Sequence, residues 1–140
     1  MSPPLYTREI LRLAASLGEP LPLDRVDGAA ERRSATCGSR IAIEVMVENG
    51  KVAALSQRVE ACAFGQAATA LMLAGAPSRS AADVRTALAA ISLWLRDDDD
   101  TVAEPWPGIA ALAPARSRIG RHGAILLPFA ALLAAIDAAA

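Results

Sequence analysis

Leu5, Ile10, Leu13, Ala14 and Leu17 recur near helical spacing, with Arg8, Glu9 and Arg12 between them, which predicts a short amphipathic helix over Leu5–Leu17. Gly18 suits its C-terminal stop. Pro20, Pro22, Asp24, Asp27 and Gly28 then mark an irregular connector. The period next shortens to two. Ile41, Ile43, Val45 and Val47 alternate with Ala42, Glu44, Met46 and Glu48, and Val52–Val59 follows after Asn49-Gly50. Two β-rich runs around Asn-Gly predict a hairpin. A two-residue loop sets Val45 opposite Ala54 and Ile43 opposite Ser56. A three-residue loop with Gly50 left-handed sets Val45 opposite Ala53 and Ile43 opposite Leu55. The second buries the more apolar face and is the preferred register. Glu31–Thr36 is a candidate third strand.

From Phe64 onward the period is helical. Ala67, Ala68, Leu71 and Met72 line one face, and Gly75-Ala76-Pro77 ends the run. Ser80–Leu95 reads as another helix, with Ser80 as cap, Asp83 at the third position after it, and Val84, Leu88, Ile91 and Leu95 as its apolar stripe. Asp97–Asp100 reads as a solvated acidic loop, since adjacent carboxylates do not match calcium-loop spacing. Pro105-Trp106-Pro107 is a break, Ile109–Leu112 a short turn, and Arg121–Ala139 a final helix interrupted or kinked at Pro128. Strands precede helices, so the fold class is α+β: a small antiparallel three-stranded sheet with a β-hairpin, packed against an N-terminal helix and several C-terminal helices. No repeat or domain-sized linker interrupts residues 1–140, which read as one domain.

Composition narrows the function. Of 140 residues, 54% are hydrophobic and 21% charged, which excludes intrinsic disorder. Lys plus Arg is 14 and Asp plus Glu 15, so a net charge of -1 gives no global attraction to nucleic acid or an anionic membrane. The N-terminal residues lack a secretory signal's basic and apolar regions, and the most apolar segment, Ala124–Ala135, is shorter than the about 20 residues of a spanning helix. A cytoplasmic protein is expected.

Chemistry-bearing residues are few. The cysteines are Cys37 and Cys62, and the only histidine is His122. One chain therefore cannot build a zinc site from four cysteines, nor from two cysteines and two histidines. Cys37 lies in Thr36-Cys37-Gly38-Ser39, where Gly38 lets another group approach the backbone closely. Cys62 lies where the hairpin ends and a helix begins. A helix N-terminus presents partial positive charge, which suits a thiolate, the form that binds metal or attacks sulfur. His122 lies at the start of the last helix. All three sit at element ends, in contexts that suit one shared site, although a lone cysteine is also commonly a small buried hydrophobe. Arg32, Arg33 and Arg40 flank Cys37, either raising the local potential or standing as solvated strand-edge charges. Glu60 is the nearest acid to Cys62, with a surface role the simpler reading. Trp94 and Trp106 read as packing against the core or as a surface lid.

Thr36-Cys37-Gly38-Ser39-Arg40, the alternating strand, the Asn49-Gly50 turn and Ala61-Cys62-Ala63-Phe64-Gly65-Gln66-Ala67-Ala68-Thr69-Ala70-Leu71-Met72 resemble the IscU/NifU-type iron–sulfur cluster scaffold family, most closely its SufU-like branch. In that family three cysteines and an aspartate hold a nascent cluster, or zinc in the SufU branch. The cluster is built with sulfur from a cysteine desulfurase and passed to acceptor proteins. By position the resemblance makes Cys37 the first ligand and Cys62 the second. Ser39 stands at the aspartate and Gly123 at the third cysteine, and His122 matches the residue before that cysteine. Arg116-Ser117-Arg118-Ile119 does not match the chaperone-recognition stretch of the IscU branch.

The expected metal ligands are thus Cys37, Cys62 and His122, with Gly38, Ser39 and Gly123 as supporting positions. The expected cargo is a [2Fe–2S] cluster or iron, with zinc as the alternative. Two thiolates and an imidazole plus water make a reasonable tetrahedral zinc site. Two chains together supply four thiolates, so a cluster bridging a homodimer is another arrangement. The implied role is non-enzymatic, with a desulfurase and cluster acceptors as partners and neither nucleic acid nor membrane among them. The alternative is a metal-free relative acting as an interaction or regulatory module.

Overall fold

A computed structural model describes residues 6–35, 38–96 and 104–140. Helix α1 spans Arg8–Ser16 and starts where the Thr7 hydroxyl accepts the Ile10 N–H at 3.1 Å. Its Ile10 is buried. Of the expected helix, Leu5 lies outside the described residues.

Strands β1 (Gly28–Arg33), β2 (Arg40–Glu48) and β3 (Lys51–Glu60) form one antiparallel sheet in the order β1-β2-β3. β1 begins three residues earlier than expected, at Gly28, and ends before Ser34, so Ser34 belongs to the following loop. Ile41, Ile43 and Val45 of β2 are fully buried, as the alternation requires.

The hairpin register corrects the three-residue expectation. Asn49 (φ 55°) and Gly50 (φ 75°) are both left-handed, the requirement of a two-residue type I′ turn, and Glu48 pairs with Lys51. A bulge then shifts the register: Val47 pairs with Val52, but Met46 with Ala54, leaving Val45 opposite Leu55 and Ile43 opposite Gln57. The shift coincides with a tertiary tie. On its outer edge the Val52 N–H donates to the Arg79 carbonyl at 2.9 Å, and its carbonyl accepts the Ser78 N–H at 2.8 Å.

Helix α2 spans Ala63–Gly75 and α3 spans Ala81–Arg96. A reciprocal capping box opens α3, as expected from Ser80 and Asp83. The Ser80 N–H donates to Asp83 Oδ2 at 3.0 Å and the Asp83 N–H to Ser80 Oγ at 3.1 Å. The acidic run Asp97–Asp100 lies outside the described residues. The short turn expected over Ile109–Leu112 is a longer 3₁₀ stretch, Ile109–Ala115, and a second covers Ile119–Arg121.

Helix α4 spans His122–Ala138 and continues through Pro128, whose ring is buried. With the 3₁₀ turn before it, Ile119–Ala138 forms a 20-residue run long and apolar enough, by length and composition, to cross a membrane. That run is longer than the sequence reading measured, because the turn and helix join. Here α4 is the central core helix: Ile125, Phe129, Leu132 and Ala135 are fully buried, and it packs on β1, β2, α2 and α3. It runs antiparallel to β1. Gly28 abuts Ala135 and Ala139, while Ser34 meets Gly123. About 18 Å of helix thus lies along about 20 Å of strand.

Trp106 belongs to the core and forms no lid. It is fully buried, donates Nε1–H to the Leu71 carbonyl at 2.8 Å, and meets Phe129 edge-on with ring centroids 4.9 Å apart. Gly75 has no side chain because Trp106 fills that space: a Cβ there would stand 2.7 Å from Nε1. Trp94 is half-buried, with the Arg116 guanidinium carbon 4.8 Å from its ring centroid.

Candidate metal or cluster site

Three chain segments meet at one end of the sheet. The first is the β1–β2 loop, residues 34–39, closed by the Ser34 N–H donating to the Ser39 carbonyl at 2.8 Å. Gly38 is left-handed (φ 71°), a conformation that favours glycine, and Ser39 is buried. Cys37 follows in sequence between Ala35 and Gly38 but lies outside the described residues.

The second segment is the start of α2. Cys62 is its N-cap, half-buried against the core with a free thiol. The Gln66 side-chain amide donates to the Ala61 carbonyl at 2.9 Å and braces the turn that presents Cys62. Glu60 is not poised as an acid or base beside this cysteine. Its carboxylate holds the Arg40 guanidinium at 2.8 Å, a cross-strand pair that the register places directly opposite.

The third segment is the start of α4. Gly65 of α2 leaves room for this end, since a Cβ there would stand 3.5 Å from the Ala124 carbonyl and 2.6 Å from Ala61 Cβ. Gly123 faces the β1–β2 loop: a Cβ on it would lie 3.4 Å from Ser34 Oγ. His122 Nε2 lies 3.1 Å from the carbonyls of both Ala115 and Arg116. Both partners are acceptors, so Nε2 carries the proton and Nδ1 is left as the nitrogen with a free lone pair in the neutral ring. Among the described residues no three His, Cys, Asp or Glu side chains gather as a metal site.

A cleft of ≈ 270 Å³ opens at this end, lined by Arg33, Ser34, Gly38, Ser39, Arg40 and Glu60. Ser34 and Gln66 are the positions that sequence reasoning missed. Ser34 falls within the expected strand Glu31–Thr36, but β1 ends at Arg33. Gln66 carried no periodic signal, since its role is a local brace.

No family model matches this sequence, and no curated protein matches it. Solved structures do. A nitrogen-fixing NifU-like protein (N-terminal) from Brucella abortus matches with TM-score 0.85 and 26% identity over 95% of this chain and 92% of that one. A candidate iron–sulfur cluster assembly scaffold protein for the SUF system from Fervidobacterium islandicum AW-1 matches with TM-score 0.76 and 18% identity over 94% and 96%. The resemblance read from the Cys37–Met72 stretch therefore holds across the whole α+β fold.

Proposed function

We propose that this chain, built on the fold of NifU-like and SufU-type scaffold proteins, takes part in iron–sulfur cluster assembly as a non-enzymatic scaffold-like protein. It binds iron, a [2Fe–2S] cluster or zinc through Cys37, Cys62 and His122. The carrying observation is the meeting of the loop around Gly38 and Ser39 with the starts of α2 and α4, because these segments bear or flank all three donors. His122 fits the role in a specific way. A metal-binding histidine commonly donates its second ring N–H to a carbonyl, which fixes the ring and its tautomer. Nε2 makes such contacts at 3.1 Å, leaving Nδ1 as the donor.

The donor set limits what is held. Ser39 brings no charge where the family has a carboxylate, and Gly123 brings no ligand. Two thiolates and one imidazole fit a four-coordinate zinc with one open position. A [2Fe–2S] cargo needs a further donor, which a second chain supplies in a bridged homodimer. A cysteine desulfurase and cluster acceptors are the partners of this reading.

The test is anaerobic purification without a metal-affinity tag, followed by iron, zinc and acid-labile sulfide per chain. Iron with matching sulfide supports the scaffold, and half a cluster per chain supports the bridged dimer. The Cys37→Ser/Cys62→Ser variant should lose the metal, and unchanged stoichiometry in it overturns the reading. Ser39 and Gly123 favour a second reading, a metal-free interaction or regulatory module. No metal after reconstitution, together with altered desulfurase turnover, would support that one.

A further inference from the structure

The sheet has a second face, opposite the one on which Ile41, Ile43 and Val45 are buried. A cleft of ≈ 480 Å³ opens there, with Pro20 of the α1–β1 connector in its wall. The strand register lays out its floor. Ala42 stands between Glu31 and Arg58 in one cross-strand row, and Glu44 between Ala29 and Ser56 in the next. Directly opposite residues share a face, so all six side chains lie on this one. Small residues separate the charged ones, and the floor is low where they stand.

Two observations separate this cleft from an ordinary dent in a solvated sheet. The first is Ser56. It is only 6% exposed and lines the cleft, and among the described residues its hydroxyl has no hydrogen-bond partner. Most buried hydroxyls have one, because giving up water's hydrogen bonds without replacement is costly. The second is the charge pattern. Glu44 and Arg58 are diagonal neighbours, about 7–8 Å apart and within reach of each other. Among the described residues neither joins an ion pair, whereas Glu31 holds Arg33 and Glu60 holds Arg40 on the same sheet. One carboxylate and one guanidinium thus stand open on the cleft beside an unpartnered hydroxyl.

The wall is set in place beforehand. Gln57, itself buried, donates Nε2–H to the Gly18 carbonyl at 3.0 Å. At the far end of the connector Asp27 accepts the Val47 N–H at 2.7 Å. Pro20 lies between these two ties, so the cleft keeps its shape without a ligand to order it.

We propose that this cleft binds a free α-amino acid as its zwitterion. Arg58 and the Ser56 hydroxyl donate to the carboxylate, Glu44 accepts from the ammonium, and an apolar side chain lies against Pro20. The chemistry selects this ligand. Its two opposite charges sit on one carbon, so it fits between a guanidinium and a carboxylate held a diagonal apart, and it satisfies the serine as well. Guanidinium and carboxylate each make short, charge-assisted hydrogen bonds of fixed direction. No cysteine or histidine lines the cleft, so this binding stands or falls separately from the metal reading.

The probe is L-leucine, titrated into the ¹⁵N-labelled full chain. Amide shifts should saturate at millimolar ligand and centre on residues 20, 29–31, 42–44 and 56–58. N-acetyl-L-leucine lacks the ammonium and L-leucinamide the carboxylate, and each should bind about tenfold more weakly or worse. Arg58→Gln and Glu44→Gln should weaken leucine binding to the same degree with an unchanged far-UV spectrum, while Arg8→Gln/Arg12→Gln leaves it intact. Ser56→Ala should weaken binding by about three- to tenfold yet melt no lower than the parent, since no hydrogen bond within the protein is lost. The proposal is overturned by shifts that do not saturate at tens of millimolar leucine, by shifts centred elsewhere, by either analogue binding as well as leucine, or by variants that bind like the parent. A lower melting temperature in Ser56→Ala would give the hydroxyl a structural partner and overturn it as well.

Discussion

Ser34 and Gly123 face each other across the junction of the β1–β2 loop and α4, with 3.4 Å between the serine hydroxyl oxygen and the place a Cβ on residue 123 would occupy. The gap is tight but ends on a small side chain rather than on backbone. By the resemblance, residue 123 stands at the position expected for the family's third cysteine.

Gly123→Cys should therefore restore a thiolate to this end of the fold at little cost. Ser34 must yield by a few tenths of an ångström. Replacing a helical glycine returns up to about 1 kcal/mol of helix propensity. Stability should change by less than about 1 kcal/mol in urea unfolding, while zinc affinity rises by about tenfold or more in chelator competition. Unchanged affinity in the folded variant would show that residue 123 does not face the metal.

His122 combines two jobs that substitution can separate. A glutamine amide can donate to the Ala115 and Arg116 carbonyls but offers no imidazole nitrogen. His122→Gln should keep stability within about 1 kcal/mol of the parent and lower zinc affinity, whereas His122→Ala should lose both. Thermal melts of the metal-free chains and chelator competition read the two effects apart. Full zinc affinity in His122→Gln would remove Nδ1 from the ligand set.

Gly28 sets how closely α4 lies on β1. A Cβ there would collide with the Ala135 carbonyl oxygen and stand 2.8 Å from the Ala139 nitrogen, both backbone atoms that cannot swing aside. Gly28→Ala should cost about 1–3 kcal/mol in urea unfolding, by forcing helix and strand apart. A neutral variant would mean that the two elements separate easily.

Two carboxylates should make the fold acid-sensitive. Asp27 accepts the Val47 N–H at 2.7 Å and an Arg25 hydrogen bond, which hold its carboxyl below the usual 3.8. The Ser80 backbone and hydroxyl lower Asp83 in the same way. Such groups stabilise the fold fully above the unfolded value and lose that contribution as pH falls through the lower folded value. Urea midpoints should drop between pH 5 and pH 2, and Asp27→Asn/Asp83→Asn should flatten that drop. Equal slopes in parent and variant would exclude these two groups as its source.

Much of this fold is legible in short stretches of chain. Asn49-Gly50 marks a hairpin because both residues tolerate left-handed φ values, although the choice between a two- and a three-residue loop was the structure's. Ser80 and Asp83 cap a helix through bonds spanning three residues, and the change of period at Phe64 puts Cys62 at a helix start. These are interactions among near neighbours, so the sequence by itself determined them. It also determined the donor inventory, and through the Cys37–Met72 stretch it pointed to the family.

What depends on residues far apart in the chain was decided only by the tertiary structure. The strand register shifts where Val52 is tied to Ser78 and Arg79, contacts that no two-residue alternation contains. Trp106 became core because Leu71, Gly75 and Phe129 converge on it. The meeting of Ser34 with Gly123 arises from α4 lying along β1. Packing is set by which faces bury together, and for those residues periodicity gives the face but not the neighbour across it.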